Sequence, residues 1–525
     1  MNVATVATCN LDQWALDFGG NLTRIRASIE EAKARGARFR LGPELEIPGY
    51  GCEDHFLERD TVRHSFEVLA ELLADDLTDG ILCDVGMPLM HRGVRYNARV
   101  FLLDRRVLLV RPKRELADDG NYREGRWFAA WRHARRTEPF TLPPIIRART
   151  GQDTVPIGDA VVSTDDTVVA SESCEELYAP HAPHVDLGLD GVEIFANGSG
   201  SHHELRKLET RLHRIRAATE GFGGVYLYAN QQGCDGGRLY FDGGAMIVVN
   251  GGVVAQGSQF SPRDVEVITA EVDLDQVRSL RGARATRMRQ ASMAEPYPRV
   301  RTGLRLVDAA RHRAATPPRA LHTHRVEEEI ALGPACWLWD YLRRSGAGGF
   351  FLALSGGSDS AAVATILGSM CRLLAREVAA GRRGVIHDLR AVLGLAAGED
   401  PPDDPRALAG RLVTTAYLAT KVSTDASRAR ARALAEQIGA DHLEVTLDDA
   451  VASLADVSGT IAPPGTDAPS ASGAKGAAGR TTWRCRTCRP AAAWWRPTCW
   501  RSASPACGAC GARAWWSAPP TWTRP

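Results

Sequence analysis

The sequence predicts an α/β chain of two or three domains, with its chemistry at the ends of strands. Three observations carry that reading. Apolar β-like runs alternate with amphipathic helical stretches from the first residues onward. A glycine-rich turn, Ser355-Gly-Gly-Ser-Asp-Ser360, separates an apolar run from a helical pattern. The 525 residues are more than one core usually holds.

In the first half, residues 1–295, Val3 to Thr8 reads as a strand. Asn21 to Arg35 reads as a helix with Leu22, Ile25 and Ile29 inward, closed by Gly36. Phe39 to Leu41 reads as the next strand. Three polar residues then stand at element ends. Glu44 comes after Phe39–Leu41, Lys113 after Val107-Leu-Leu-Val110, and Cys174 after Thr167-Val-Val-Ala170. Brought to one sheet edge, a carboxylate, an ammonium and a thiol make a complete amidase. The carboxylate takes the thiol proton, the thiolate attacks the amide carbon, and the ammonium steadies the oxyanion. The adjacent Glu175 and Glu176 are expected to raise the thiol pKa, so activation falls to the lysine and the base. His181, His184, His202 and His203 lack the spacing of a metal site and read as pocket-wall or structural residues. Asp84, Asp186 and Asp190 read as loop or cap residues.

Residues 296–323 are rich in Arg and Pro and read as a connector. In residues 324–462, Glu327 opens an ordered stretch. Ala335 to Arg343 reads as an amphipathic helix ended by Gly346, and Phe350 to Leu354 as a buried strand. After Ser355–Ser360, the spacing of Val363, Ile366, Leu367, Met370 and Leu374 predicts a helix. Ala391-Val-Leu-Gly-Leu395 is the next apolar segment, then a helix from Thr424 to Ile438 stopped by Gly439, then a strand at His442–Thr446. Such a βαβ series is a parallel, Rossmann-like sheet with ligand at the strand C-termini. The turn offers backbone N–H groups and serine hydroxyls to an anion at a helix N-terminus. It lacks the lysine of the Walker pattern.

The formal net charge of +1 gives no bias toward nucleic acid or membrane. No apolar run approaches the roughly 20 residues that span a bilayer. The N-terminus has no basic leader, and cysteines 9, 52, 83, 174, 234, 336 and 371 show no disulfide spacing. A cytoplasmic enzyme is expected.

Residues 463–525 are anomalous. From Gly476 to Pro525 the chain uses eight residue types and carries seven of its twelve Trp. Such a composition builds no core. Cys485-x-x-Cys488 and Cys507-x-x-Cys510 have zinc-ribbon spacing, but the sequence around the knuckles does not read as strands. The favoured reading is a neighbouring reading frame. GC-rich codons out of register give Gly, Ala, Arg, Pro, Cys and Trp, and sliding by one base permits strings such as LVVGSANVDE near the end.

The words LGPELEIPGYG, RPKRELADDGNYRE and SESCEELYAPHAPH together resemble the carbon–nitrogen hydrolase superfamily, in its glutaminase branch. The SGGSDS turn resembles the pyrophosphate-gripping loop of the ATP pyrophosphatases. The order of the two halves is similar to that of the glutamine-dependent NAD synthetase family, from residue 1 to about 460. The resemblance implies a four-layer α-β-β-α sandwich followed by an incomplete Rossmann-like parallel-sheet domain. It implies Glu44 as general base, Lys113 as oxyanion lysine, Cys174 as nucleophile and Glu124 as a second acid orienting the lysine. Asn197–His203 would line the pocket. Ala353, Leu354, Ser355, Gly356, Gly357, Ser358, Asp359 and Ser360 would hold ATP, with Ser355 in the catalytic loop and Asp359 on magnesium. Ser358 replaces the family's apolar residue, and its side chain is expected to face the sheet. The implied reaction is ATP-dependent amidation of deamido-NAD+ with glutamine as ammonia source, in a homo-oligomer. The rivals are a stand-alone glutaminase with an idle second half, and a non-catalytic tail binding zinc or a partner.

Overall fold

The computed structural model describes residues 2–308, 313–396 and 398–460. The anomalous tail, with its four paired cysteines and both readings of it, lies outside the described residues.

Alternation along the first strand, Val3–Leu11, sets the layers. Ala4 and Val6 enter a core shared with Phe39, Leu41, Phe101, Leu109, Val169 and Ile194, all from strands. Ala7, Cys9 and Leu11 face the other way. They meet Ile25 and Ile29 of the Phe18–Ala34 helix and Phe66 and Leu69 of the Arg59–Leu72 helix. A third core packs Leu208 and Ile215 of the Lys207–Glu220 helix on Phe195, Tyr226 and Tyr228. Strand face on strand face, with helices outside both, is a four-layer α-β-β-α sandwich.

Strand direction gathers the polar ends. Val168–Ser173, Ile194–Ser199, Val225–Cys234, Val3–Leu11, Phe39–Leu41 and Leu82–His91 are successive parallel neighbours. Val94–Leu103 and Arg106–Pro112 then add two antiparallel turns. Two reversals restore the original direction. The residues after Phe39–Leu41, Arg106–Pro112 and Val168–Ser173 therefore leave at the same end of the sandwich.

The first strand runs three residues beyond Thr8. The first helix starts at Phe18 rather than Asn21, because the Asp17 side chain accepts from Gly20 N–H as its cap. The connector lies on the sandwich. Arg299–Arg301 pairs with Val161–Ser163, Thr316 N–H donates to Glu271 and Arg319 N–H to Val253.

The second half holds a parallel sheet in the order Phe350–Ala353, Val413–Ala419, Asp441–Thr446. Two expectations change here. Ala391–Leu395 is not a segment of the sheet: it ends the Arg383–Leu393 helix, whose Val385 and Leu389 are buried at helical spacing, and Gly394 caps it at φ 63°. The middle strand is Val413-Thr-Thr-Ala-Tyr-Leu-Ala419, where threonines mask the apolar run. The helix before the loop is also one piece, Val326–Ser345, running through Pro334 and ended by Gly346. That helix docks on the sandwich. Arg343 reaches Asp12 at 2.5 Å and Asp264 at 2.7 Å, and Cys234 N–H donates to Asp340 at 3.0 Å. Among the described residues no helix is long and apolar enough to cross a membrane.

Candidate active site

Glu44, Lys113, Glu124 and Cys174 converge, all buried. Glu44 Oε1 accepts from Lys113 Nζ at 2.6 Å and from Asn97 Nδ2 at 2.7 Å. Its Oε2 accepts from Gly200 N–H at 3.2 Å. Lys113 Nζ also donates to Glu124 Oε1 at 2.9 Å, which takes the Tyr50 hydroxyl at 2.6 Å as well. The lysine is thus held between two carboxylates, each braced by other donors.

Cys174 opens a 3₁₀ turn, Cys174–Leu177, directly after its strand. Its φ of 41° lies in the left-handed region that a non-glycine residue rarely adopts. This sharp exit turns the side chain out of the pleat. Its N–H donates to Asn197 Oδ1 at 3.0 Å, and Asn197 Nδ2 donates to the Tyr226 hydroxyl at 3.0 Å.

Burial pushes the Cys174 thiol up to about 12, and the Glu44 carboxylate adds to the rise while Lys113 opposes it. The neighbouring glutamates are not the cause, contrary to expectation: Glu176 is turned away onto Arg111 and Arg114. Burial works to lower the Lys113 pKa, but Glu124 and Glu44 outweigh it and hold the ammonium well above its ordinary range. Burial also lifts Glu124 to about 7, against the pull of Lys113 and with help from Glu44. At rest the pocket therefore holds a neutral thiol, a carboxylate able to take its proton, and a fixed ammonium where an oxyanion can form.

Several residues of this site were not anticipated. Asp84, expected in a loop, is buried in a strand and bonds Arg99 Nε at 2.7 Å. The Arg99 guanidinium also donates to the carbonyls of Pro43 and Gly42 at 2.6 and 2.8 Å, steadying the segment before Glu44. Gly198 admits that guanidinium, since a Cβ there would lie 2.3 Å from Arg99 Nη1. The available signal was a charge inside an apolar strand, as in Asn97-Ala-Arg-Val-Phe-Leu-Leu103. The histidines take separate structural partners. His184 meets Glu172, His202 stacks on Tyr122, and His203 faces Glu329 of the docked helix. Asp186 meets Arg135, and Asp190 accepts from Tyr297 N–H.

The second candidate site is the exposed Ser355–Ser360 turn at the end of the Phe350–Ala353 strand. Ser355 and Ser360 hydroxyls meet at 3.0 Å, and Gly357 N–H donates to Ser355 Oγ at 3.3 Å. The Ser358–Ala379 helix starts here with no side chain capping it, leaving its N-terminal amides for an anion. Gly356 has φ 73°, and a Cβ on it would lie 2.1 Å from the Ser427 carbonyl oxygen, so only glycine fits. Ser358 does not face the sheet: it is exposed and donates to Asp359 Oδ1 at 3.3 Å, because it occupies the helix's first position.

A sequence model of the carbon–nitrogen hydrolases matches residues 5–282. The chain is 55% identical over 453 residues to a glutamine-dependent NAD(+) synthetase of Dictyostelium discoideum, covering 86% of this chain and 63% of that one. It is 55% identical over 450 residues to the enzyme of the same name from Homo sapiens, covering 85% and 63%. It thus spans less than two thirds of these relatives. A crystal structure of a glutamine-dependent NAD(+) synthetase from Cytophaga hutchinsonii is similar at a TM-score of 0.69 and 25% identity, covering 87% of this chain and 68% of that one.

Proposed function

The chain belongs to the carbon–nitrogen hydrolase family, and from that premise we propose that residues 1–295 release ammonia from glutamine and residues 324–462 belong to a synthetase that adds it to deamido-NAD+. The observation carrying the first part is the buried Lys113 ammonium held by Glu44 and Glu124 beside Cys174. Glu44 takes the Sγ proton and the thiolate attacks the side-chain carbonyl carbon of glutamine. Lys113 balances the oxyanion. As the C–N bond breaks, Glu44 returns the proton to the departing ammonia and leaves a Cys174 thioester. Water, giving its proton to Glu44, attacks the thioester and frees glutamate and the thiol.

In the second half the deamido-NAD+ carboxylate would attack the α-phosphorus of ATP, releasing diphosphate. Ammonia would then displace AMP from the acyl-adenylate. Ala353 to Ser360 would hold the phosphates through the loop amides and the Ser355 and Ser360 hydroxyls. Asp359 is an exposed carboxylate in the first helical turn, an oxygen donor suited to magnesium, which when bound offsets phosphate charge.

The test is Cys174→Ala in the full chain. Glutamate release from glutamine is expected to vanish; release at the wild-type rate would remove the reading. One observation favours a glutaminase acting alone. The outer strand of the second sheet, Asp441–Thr446, leaves Leu443 and Val445 45% and 40% exposed, an open face for a nucleotide-binding sheet. Formation of AMP from ATP, deamido-NAD+ and ammonium decides between the two.

A further inference from the structure

The Lys113 and Cys174 strands belong to the same sandwich, yet no backbone ladder joins them. Along the sheet, Arg106–Pro112 and Val168–Ser173 are separated by six intervening strands. Their separation across the pocket must be set by side chains, and amide attack depends on that separation to within about 1 Å.

We propose that Glu176 is a positioning residue for the amidase, a buried clamp that fixes the lysine strand against the nucleophile turn with Arg111 as its counter-ion. This rests on the amidase reading above. The Glu176 side chain is fully buried. Its Oε2 accepts from Ser173 N–H at 2.6 Å, the residue before Cys174. Its Oε1 accepts from Arg114 N–H at 2.7 Å, the residue after Lys113. Arg111, two residues before Lys113, donates through Nη1 to Oε2. One carboxylate thus holds the neighbour of each reacting side chain. Among the described residues no other side chain forms a hydrogen bond between residues 173–176 and residues 111–114.

A purely local role accounts for only part of this. Glu176 Oε2 caps the Ser173 N–H at the start of the short turn, the glutamate half of a capping box, and that needs one oxygen alone. The second oxygen and the guanidinium reach across to a strand about sixty residues earlier in sequence. Asp159 backs the cationic side, lying 3.9 Å from Arg111 and 3.2 Å from Arg114. A carboxylate that takes two backbone N–H groups and a paired guanidinium has little freedom, which is what a spacer requires.

Three variants of the full chain separate the clamp from the cap. Glu176→Gln puts an amide N–H against at least one of the three donors. Glu176→Asp keeps the charge and the cap but is too short to reach Arg114. Arg111→Lys keeps the ion pair. The first two are expected to lower kcat for glutamine hydrolysis about 100-fold, with KM within about threefold. Arg111→Lys is expected to stay within about tenfold of wild type. If Glu176→Asp keeps wild-type kcat, the carboxylate is only a cap and the clamp is refuted. If activity falls only in proportion to folded protein, with kcat per folded molecule unchanged, it is refuted as well. Wild-type protein that releases no glutamate would instead overturn the amidase reading. The clamp is then judged by iodoacetamide labelling of Cys174 from pH 7 to 10, read by mass spectrometry. With Lys113 displaced, labelling of Glu176→Gln is expected to move about half a pH unit upward; superimposed profiles would overturn the proposal.

Discussion

Replacing Lys113 by Met tests the site through its own electrostatics. The substitution is close in volume, so packing changes little. It removes the cation between Glu44 and Glu124, two carboxylates that are fully buried. Two adjacent buried carboxylates without a cation cannot both stay ionised. Burial already works against the charge on Glu124, so Glu124 is the one to take the proton. In the wild type Glu124 already titrates at about 7 rather than in the ordinary carboxylate range. The sign follows from linkage. Above its ordinary pKa and below 7, the folded chain binds the extra proton and the unfolded chain does not, so stability falls as pH rises through that window and levels off above 7. Without Lys113 the folded-state pKa rises further, and the fall continues above pH 7 at a little over about 1 kcal/mol per pH unit. The expected outcome is a small stability loss at pH 6 that grows by roughly 1–3 kcal/mol by pH 9, measured by urea unfolding of both proteins. On the proposed reading the same variant also loses the oxyanion donor, about 100- to 1,000-fold in kcat for glutamine. A stability difference independent of pH, or kcat within tenfold of wild type, would refute the reasoning.

Two further perturbations follow from the second half. Gly356→Ala drives a methyl to 2.1 Å from Ser427 O in a left-handed backbone, so the Asp425–Ile438 helix must shift; a loss of about 1–3 kcal/mol is expected by urea unfolding and, on the proposed reading, a lower ATP affinity by calorimetry. Arg343→Met leaves Asp12, Asp264, Asp340 and Asp388 at the junction with Arg344, on Asp12, as the cation that stays. About 3–5 kcal/mol should be lost at pH 8. Less is lost at pH 5.5, because burial already lifts Asp12 to about 7 and it takes up a proton first; equal losses at both pH values would count against it.

What the sequence made legible was the strand ends. Glu44, Lys113 and Cys174 each follow a segment that reads as a strand, and a polar residue at the end of a buried strand must surface at a sheet edge. That the three edges coincide depends on direction: two antiparallel turns between Leu82–His91 and Lys113 restore the parallel sense. What stayed illegible was pairing. Asp84 and Arg99 stand out as charges inside apolar runs and Arg111 at the end of one, while Glu176 is one of several glutamates, and partners 15 and 65 residues apart are chosen by topology. In the second half the failure was one of period. Val385, Leu389 and Val392 repeat like a helix, while the middle strand has Thr414 and Thr415 inside it, which break up its apolar residues without giving clean alternation.

The three charged groups of the pocket bear on why the thiol is left neutral. When all are ionised, Glu44, Glu124 and Lys113 sum to one negative charge among side chains buried from bulk solvent. A thiolate would add a second, and burial with Glu44 accordingly pushes Cys174 up to about 12. On the proposed reading this is a resting state matched to the reaction rather than an obstacle to it. The proton leaves Sγ only as the carbon–sulfur bond forms, when the negative charge moves onto the substrate oxygen. At that moment Lys113, held by Glu124 as well as by Glu44, faces an anion it can satisfy in a buried site. The preorganised ammonium therefore favours the transition state over a free thiolate, which is the difference in binding that accelerates a chemical step.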